Sequence, residues 1–234
     1  MVTKYEPQSL DLFFQITKNV FLNFNDVKTI LDVGSLHALE AVQFSKHFAN
    51  ANIYSFEANP ESYAVCEENT KDISQIKVFN VAINDYDGEC SFYPTDKNKT
   101  QTTWFDGNRG ASSLYKSNGN YNHIEKYVQN EIKVPCTRLD SWAKTNGINQ
   151  IDILWMDLQG AELKALNSLG LLLDSVKIIH TELEINPMYE NQCLFKDVYP
   201  FLFNQAFLAK YDGASVMPCV TSSTNCSLVL ACSA

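Results

Sequence analysis

The run Ile30-Leu-Asp-Val-Gly-Ser35, followed by Ile53-Tyr-Ser-Phe-Glu57-Ala-Asn-Pro60, constrains this chain more than any other feature. An apolar run that ends in Asp-x-Gly reads as a buried parallel strand stopping in a tight turn. Between the two runs, Leu39, Val42, Phe44 and Phe48 are the apolar positions of a helical pattern. The second run stops at an acid, Glu57. Together these pieces form the front half of a Rossmann-like βαβ unit. There a glycine lets the backbone approach a ligand, and an acid at the tip of the second strand accepts hydrogen bonds from ribose hydroxyls. The pairing points to an adenosine-containing cofactor. The alternative is a flavodoxin-like domain in which Gly34 merely caps a strand and Glu57 is solvated.

The glycine spacing narrows the cofactor. A dinucleotide fold carries G-x-G-x-x-G, because a pyrophosphate needs two close backbone approaches and a free helix N-terminus. Here Gly34 is followed by Ser35, Leu36, His37 and Ala38. S-adenosylmethionine (SAM) has no phosphate and needs one tight turn, an acid for the ribose and a cleft for the methionine tail. Asp32-x-Gly34 with Glu57 fits SAM better than NAD.

The rest of the chain alternates strand and helix patterns. Strand runs fall at 28–33, 52–57, 76–83, 151–156 and 176–185, with helices at 38–49, 61–71, 161–168 and about 193–204. Additional strands are expected at 89–93 and 131–136, with a short helix at 139–145 and closing strands near 206–212 and 226–232. This order gives an α/β fold, a mostly parallel sheet with helices on both faces and a closing antiparallel hairpin. We expect one domain over residues 1–234, with an amphipathic N-terminal helical lid at about 9–24. Residues 94–122 break the rhythm. They are rich in Thr, Asn, Gly, Ser and Lys, with Trp104, Phe105 and Tyr115 embedded, and a loop of that length is usually functional or disordered.

Composition excludes some partners. No apolar run approaches the roughly 20 residues that span a bilayer, and the N-terminus lacks the pattern of a signal peptide. A cytoplasmic protein without membrane insertion is the expectation. The net charge of -9 argues against nucleic acid, although Lys97, Lys99, Arg109 and Lys116 share one stretch. The seven cysteines include no C-x-x-C and read as free thiols of a reducing compartment. Cys219 and Cys226 are close enough in sequence to bridge in an oxidising one.

Ligands of such sheets bind beyond the carboxyl ends of the strands. The polar residues there are Gly34, Ser35 and His37; Glu57, Ala58 and Asn59; Ala82 to Asp85; Asp157 to Gly160; and His180, Glu182 and Glu184. Asp157 reads both as a helix N-cap and as a ligand or catalytic group. Glu162 reads as a first-turn acid favoured by the helix dipole. His180, Glu182 and Glu184 share one strand face by period two, and burying them is costly unless they are paired or bind something. Glu182 is the functional candidate of the three. His37, in the glycine turn, is a minor candidate for general base. Asp157 and Glu182, at the ends of strands four and five, could together hold a divalent ion.

The ordered set of motifs resembles the FkbM-type SAM-dependent methyltransferase family. The matching pieces are the two runs above, Val81-Ala-Ile-Asn-Asp-Tyr-Asp-Gly-Glu-Cys-Ser-Phe-Tyr93, Gly110-Ala-Ser-Ser-Leu114, Val134-Pro-Cys-Thr-Arg-Leu-Asp140 and Ile151-Asp-Ile-Leu-Trp-Met-Asp-Leu-Gln-Gly-Ala-Glu162. They span about 28–212. The resemblance implies a seven-stranded Rossmann-like class I methyltransferase fold and methyl transfer from SAM to a hydroxyl, in many members of a sugar or polyketide. It implies Asp32, Gly34, Ser35, Glu57, Ala58, Asn59, Ala82, Ile83 and Asp157 around SAM, with Ser112 and Ser113 helping to cover a carbohydrate acceptor. Catalysis falls to Asp157, Glu182 and His37, with Mg or Mn on Asp157 and Glu182 as an option. Two departures stand out: Ala38 replaces a second glycine of the first turn, and Gln159 replaces the middle acid of Asp-Val-Glu-Gly-Ala-Glu. The rival readings are a non-catalytic SAM-binding scaffold and an NAD-dependent Rossmann enzyme.

Overall fold

The computed structural model describes residues 8–119, 125–205, 207–209, 219–220 and 225–232. In chain order the elements are α1 (Gln8–Val20), β1 (Thr29–Val33), α2 (Leu39–His47), β2 (Asn52–Phe56), α3 (Pro60–Thr70) and β3 (Ile76–Phe79). Next come β4 (Ala82–Ile83), β5 (Gly88–Phe92), β6 (Ile132–Thr137), α4 (Leu139–Asn146), β7 (Ile153–Met156) and α5 (Glu162–Ser168). The chain continues through β8 (Ile178–Glu184), α6 (Phe195–Asn204), β9 (Phe207–Ala209), β10 (Cys219–Val220) and β11 (Asn225–Cys232).

The main sheet runs β3-β2-β1-β7-β8-β11, with β9 and β10 both paired to the outer edge of β11. The β1–β2, β2–β3, β1–β7 and β7–β8 pairs are parallel, and β11 is antiparallel to β8 and to β9. This is the expected mostly parallel sheet closed by an antiparallel hairpin, with two-residue β10 as an eighth strand. Chain order reverses between β1 and β7, which is the switch point where such sheets bind ligands.

The strand runs are apolar throughout because both faces are covered. Leu31, Val33, Leu154, Met156 and Ile179 enter one buried cluster, with Trp142, Leu166 and Val198 from the helices. Their neighbours Ile30, Ile53, Ile153, Trp155 and Ile178 enter the other, with Phe13, Phe44 and Phe48. Alternate residues of each strand thus serve opposite faces. Phe13 of α1 lies edge-on to Trp155 at 5.2 Å and 5.6 Å from Phe44. The N-terminal helix therefore covers a face of the sheet. It contributes nothing to the cleft described below.

The expected single strand at 76–83 is two strands. Asn80 turns its amide back to donate to the carbonyls of Glu57 (2.8 Å) and Ala58 (3.3 Å). β3 stays in the main sheet, while β4 pairs with β6 in a small sheet of order β4-β6-β5. α3 begins as its sequence dictates: Pro60 occupies the first turn, and Asn59 Oδ1 accepts from Glu61 N at 3.0 Å. α4 ends at Gly147 in the left-handed region, φ 70°.

The described part of the 94–122 excursion, through residue 119, is tied to its surroundings. Bridges join Tyr93 to Ser113, Thr95 to Gln129, Gln101 to Lys126 and Ser117 to Tyr189. A single 3₁₀ turn, Arg109–Ala111, bends it back over the sheet end. Cys66, Cys90, Cys136 and Cys193 are free thiols; the side chains of Cys219, Cys226 and Cys232 lie outside the described residues. No described helix is long and apolar enough to cross a membrane.

Candidate active site

A cleft of about 600 Å³, counted to its open mouth, lies beyond the carboxyl ends of β1, β2 and β7. Its floor contains Gly34, Glu57, Ala58, Ala82, Ile83 and Asp157, and Arg109, Gly110 and Ser112 to Leu114 form its roof. The parallel ladder builds the floor by running one residue past each strand. Gly34 N and Ser35 N both donate to Phe56 O, Glu57 N donates to Phe79 O, and Asp157 N donates to Val33 O. The turn after β1 is pressed against the turn after β7. A Cβ on Gly34 would sit 2.0 Å from Asp157 O, and its φ is +85°, so the position demands glycine.

Glu57 is held by backbone. Leu36 N donates to Oε2 and Asn59 N donates to Oε1, each at 2.7 Å. Each oxygen keeps a lone pair for the cleft. Burial raises the carboxyl to about 7 against those two hydrogen bonds, which lower it. The same contact steadies a strained turn. Leu36 and Ala38 both occupy the left-handed region, with φ of 49° and 55°. Ala38 thus adopts the conformation in which glycine is at home, at a cost of about 1–2 kcal/mol, while its methyl is fully buried.

At the β7–β8 end the acids repel one another. Burial pushes Asp157 up to about 6. Glu182 rises to about 8, chiefly through the Asp157 charge and then through burial. Glu40 of α2 adds to both. Glu162 and Glu184 are buried beside them and rise to about 7 and about 9, mainly by desolvation. The register of β7 and β8 sets Glu182 beside Asp157, but of the two only Asp157 lines the cleft.

The other sequence candidates divide. Gly34, Glu57, Ala58, Ala82, Ile83 and Asp157 line the cleft, as do Ser112 and Ser113. Asp32, Ser35 and Asn59 do not. Asp32 is on the α1–α2 face of β1, where Ser55 Oγ donates to Oδ2 at 3.0 Å, and burial raises it to about 7. Ser35 Oγ donates to Asp32 O at 2.9 Å and so shapes the turn. Asn59 caps α3. These three support the floor from beneath. His37 is outside the lining; burial lowers it, with opposing effects from the charges of Asp106 and Arg109. His180 stacks flat on Trp155, ring centres 3.4 Å apart, and burial drops it to about 3, so it stays neutral. Glu162 has the structural role expected of it: Oε1 accepts from Leu158 N and Gly160 N.

Sequence reasoning missed Leu36, Arg109 and Gly110 as lining residues, although Gly110-Ala-Ser-Ser-Leu114 marked the roof. It also missed Tyr189, whose hydroxyl is 3.0 Å from Gln159 Oε1 and 3.0 Å from Ala111 O.

Known proteins place this geometry. The sequence profile of the methyltransferase FkbM domain matches residues 32–209. The chain belongs to the FkbM methyltransferase family. It is 28% identical over 186 residues to the 2-O-methyltransferase NoeI of Sinorhizobium fredii (strain NBRC 101917 / NGR234), covering 78% of this chain and 74% of that one. Two solved structures share its fold. The METTL16 methyltransferase domain matches with a TM-score of 0.52 and 10% identity over 97% of this chain and 69% of that one. The fibrillarin/Nop5p complex matches with a TM-score of 0.50 and 10% identity over 95% and 81%. The FkbM chain is a SAM-dependent methyltransferase.

The cleft residues fit SAM. Glu57 presents a carboxylate with spare acceptor capacity, the β1 turn offers close backbone, and the acids at the far end suit a cation. For a metal the fit is poorer. Among the described residues no group of three or more His, Cys, Asp or Glu could hold one, so no step below runs through a metal.

Proposed function

We propose that this FkbM methyltransferase transfers the methyl of SAM to a hydroxyl oxygen, and that the acceptor is a carbohydrate. The observation that carries the reading is one cleft that presents both Glu57 and Asp157, with Glu182 beside Asp157 at the next strand end. SAM supplies an electrophilic methyl on a sulfonium centre. Glu57 holds the ribose hydroxyls, and Gly34 and Ala58 leave room for the backbone to close around the cofactor. Asp157 faces the positive end. Glu182 takes the proton of the acceptor hydroxyl, which is barely ionised at neutral pH. A cation beside Asp157 offsets the repulsion that raises Glu182, so the base becomes available when the site is loaded.

The carbohydrate assignment is supported by the 2-O-methyltransferase relative and by Trp104 and Phe105, both exposed on the excursion that carries the roof. Such aromatic faces suit the apolar faces of sugars. The test is incubation with labelled SAM and a panel of glycans, read by mass spectrometry. A gain of one methyl on a glycan hydroxyl is expected. Methylation confined to nitrogen or carbon of other acceptors would overturn the reading. SAM binding with no transfer to any acceptor would favour a scaffold role.

A further inference from the structure

Gln159 stands where the family pattern has an acid, and its contacts account for the amide. Its Nε2 donates to Asp157 Oδ1 at 2.7 Å, while its Oε1 is 3.0 Å from the Tyr189 hydroxyl. Its carbonyl accepts from Ser113 Oγ at 2.8 Å, and its φ of 50° puts it in the left-handed region. Tyr189 is almost wholly buried and reaches Ala111 O in the roof. One residue therefore touches the acid at the positive end of the cleft, the roof, and a buried anchor. A carboxylate at 159 could donate to Asp157 only while protonated; an amide donates at every pH.

We infer that Gln159 is a positioning residue that holds Asp157 aimed into the cleft, with Tyr189 as its anchor. The inference rests on the proposed reading that Asp157 faces the sulfonium. The groups that face Asp157 are otherwise acids: Glu40 from α2, Glu57 at the end of β2, Glu162 from α5, and Glu182 and Glu184 from β8. All raise it or are raised by it. The side chain and backbone of Gln159 act in the opposite sense.

SAM and its demethylated product, S-adenosylhomocysteine (SAH), differ in charge only at sulfur. Their affinity ratio isolates the charge at the far end and requires no acceptor. The experiment is calorimetric titration of both ligands into wild type, Gln159→Met and Tyr189→Phe from pH 6 to pH 9. Loss of the donor raises the carboxyl, so Gln159→Met should weaken SAM about tenfold at pH 7 and SAH about twofold or less. The preference for SAM should return at high pH, with its midpoint moved upward. Tyr189→Phe removes one hydroxyl and should shift the midpoint in the same direction by less. If Gln159→Met does not fold, Tyr189→Phe carries the test. A variant ratio that follows wild type at every pH overturns the inference while leaving the site reading intact. Wild type with no pH-dependent preference for SAM overturns both.

Discussion

The two ends of the cleft are built by different means. At the β1–β2 end, Glu57 is fixed by the N–H groups of Leu36 and Asn59, close along the chain or across one parallel pair. At the β7–β8 end, Asp157 is fixed by the Gln159 side chain, and its charge raises the neighbouring Glu182. The first end is a frame of backbone N–H groups around one carboxyl, which burial raises to about 7. The second is a cluster of like charges whose state depends on what binds there. A recognition site for a neutral nucleoside needs the first kind of construction, and a site for a cation and a mobile proton needs the second.

The strongest way to separate the ends is Glu182→Gln. The amide keeps the shape and removes the proton acceptor, so turnover should fall about 10²–10⁴-fold, while SAM affinity changes far less. Activity of wild type should rise with pH as Glu182, at about 8 in the free protein, loses its proton, and should resist a chelator. Near-normal turnover of Glu182→Gln in a transfer assay would move the base elsewhere.

Gly34→Ala attacks both ends together, because its Cβ would meet the Asp157 carbonyl oxygen at 2.0 Å. Positive φ and the clash should cost roughly 3 kcal/mol or more, read by chemical denaturation. A loss below about 1 kcal/mol would mean that the two turns separate freely.

Glu57→Gln tests the backbone frame alone. It keeps one acceptor oxygen and turns a donor toward an N–H or the ribose, so SAM and SAH should weaken together, by about tenfold. Weakening of SAM alone would place Glu57 at the wrong end.

How much of this could be read in advance follows the same division. Gly34 and Glu57 belong to a local strand–turn–helix–strand pattern, so their types and spacing disclose their work. Asp157 and Glu182 follow as candidates from the rule that ligands gather at strand ends. Tyr189 was not found, since it meets Ala111 across 78 residues and Gln159 across 30, with no local pattern to connect them. The break between β3 and β4 was hidden for a related reason: the apolar run continues through Val81, and only the Asn80 side chain diverts it. Asp32, Ser35 and Asn59 matched the motif by position yet do not line the cleft: Asp32 is on the other face of β1, the Ser35 hydroxyl is turned back to Asp32 O, and Asn59 caps α3.

The smallest effect concerns stability. Asp32, Glu57 and Glu162 at about 7, Glu182 at about 8 and Glu184 at about 9 all exceed their ordinary values. The folded protein then holds protons that the unfolded chain has released, so stability falls as pH rises from about 5 to about 9. Asp87, Asp140 and Asp152 are lowered and contribute stability that is lost in acid. The free protein should therefore melt highest near pH 5 and lose several degrees by pH 9. Glu182→Gln should flatten the alkaline limb. Melting that climbs from pH 5 to pH 9 would contradict the burial of these acids.

The contrast between the ends is tested most directly by the SAM and SAH affinities of wild type across pH. Both ligands share the ribose and adenine, so changes at Glu57 cancel in the ratio. Asp157 and Glu182 ionise as pH rises, and in the proposed reading their charge meets the sulfonium, which only SAM carries. The account predicts that the preference for SAM over SAH increases from pH 6 to pH 9, with proton release on binding SAM that exceeds that for SAH. A ratio that stays constant over this range, with equal proton release for both ligands, would contradict it.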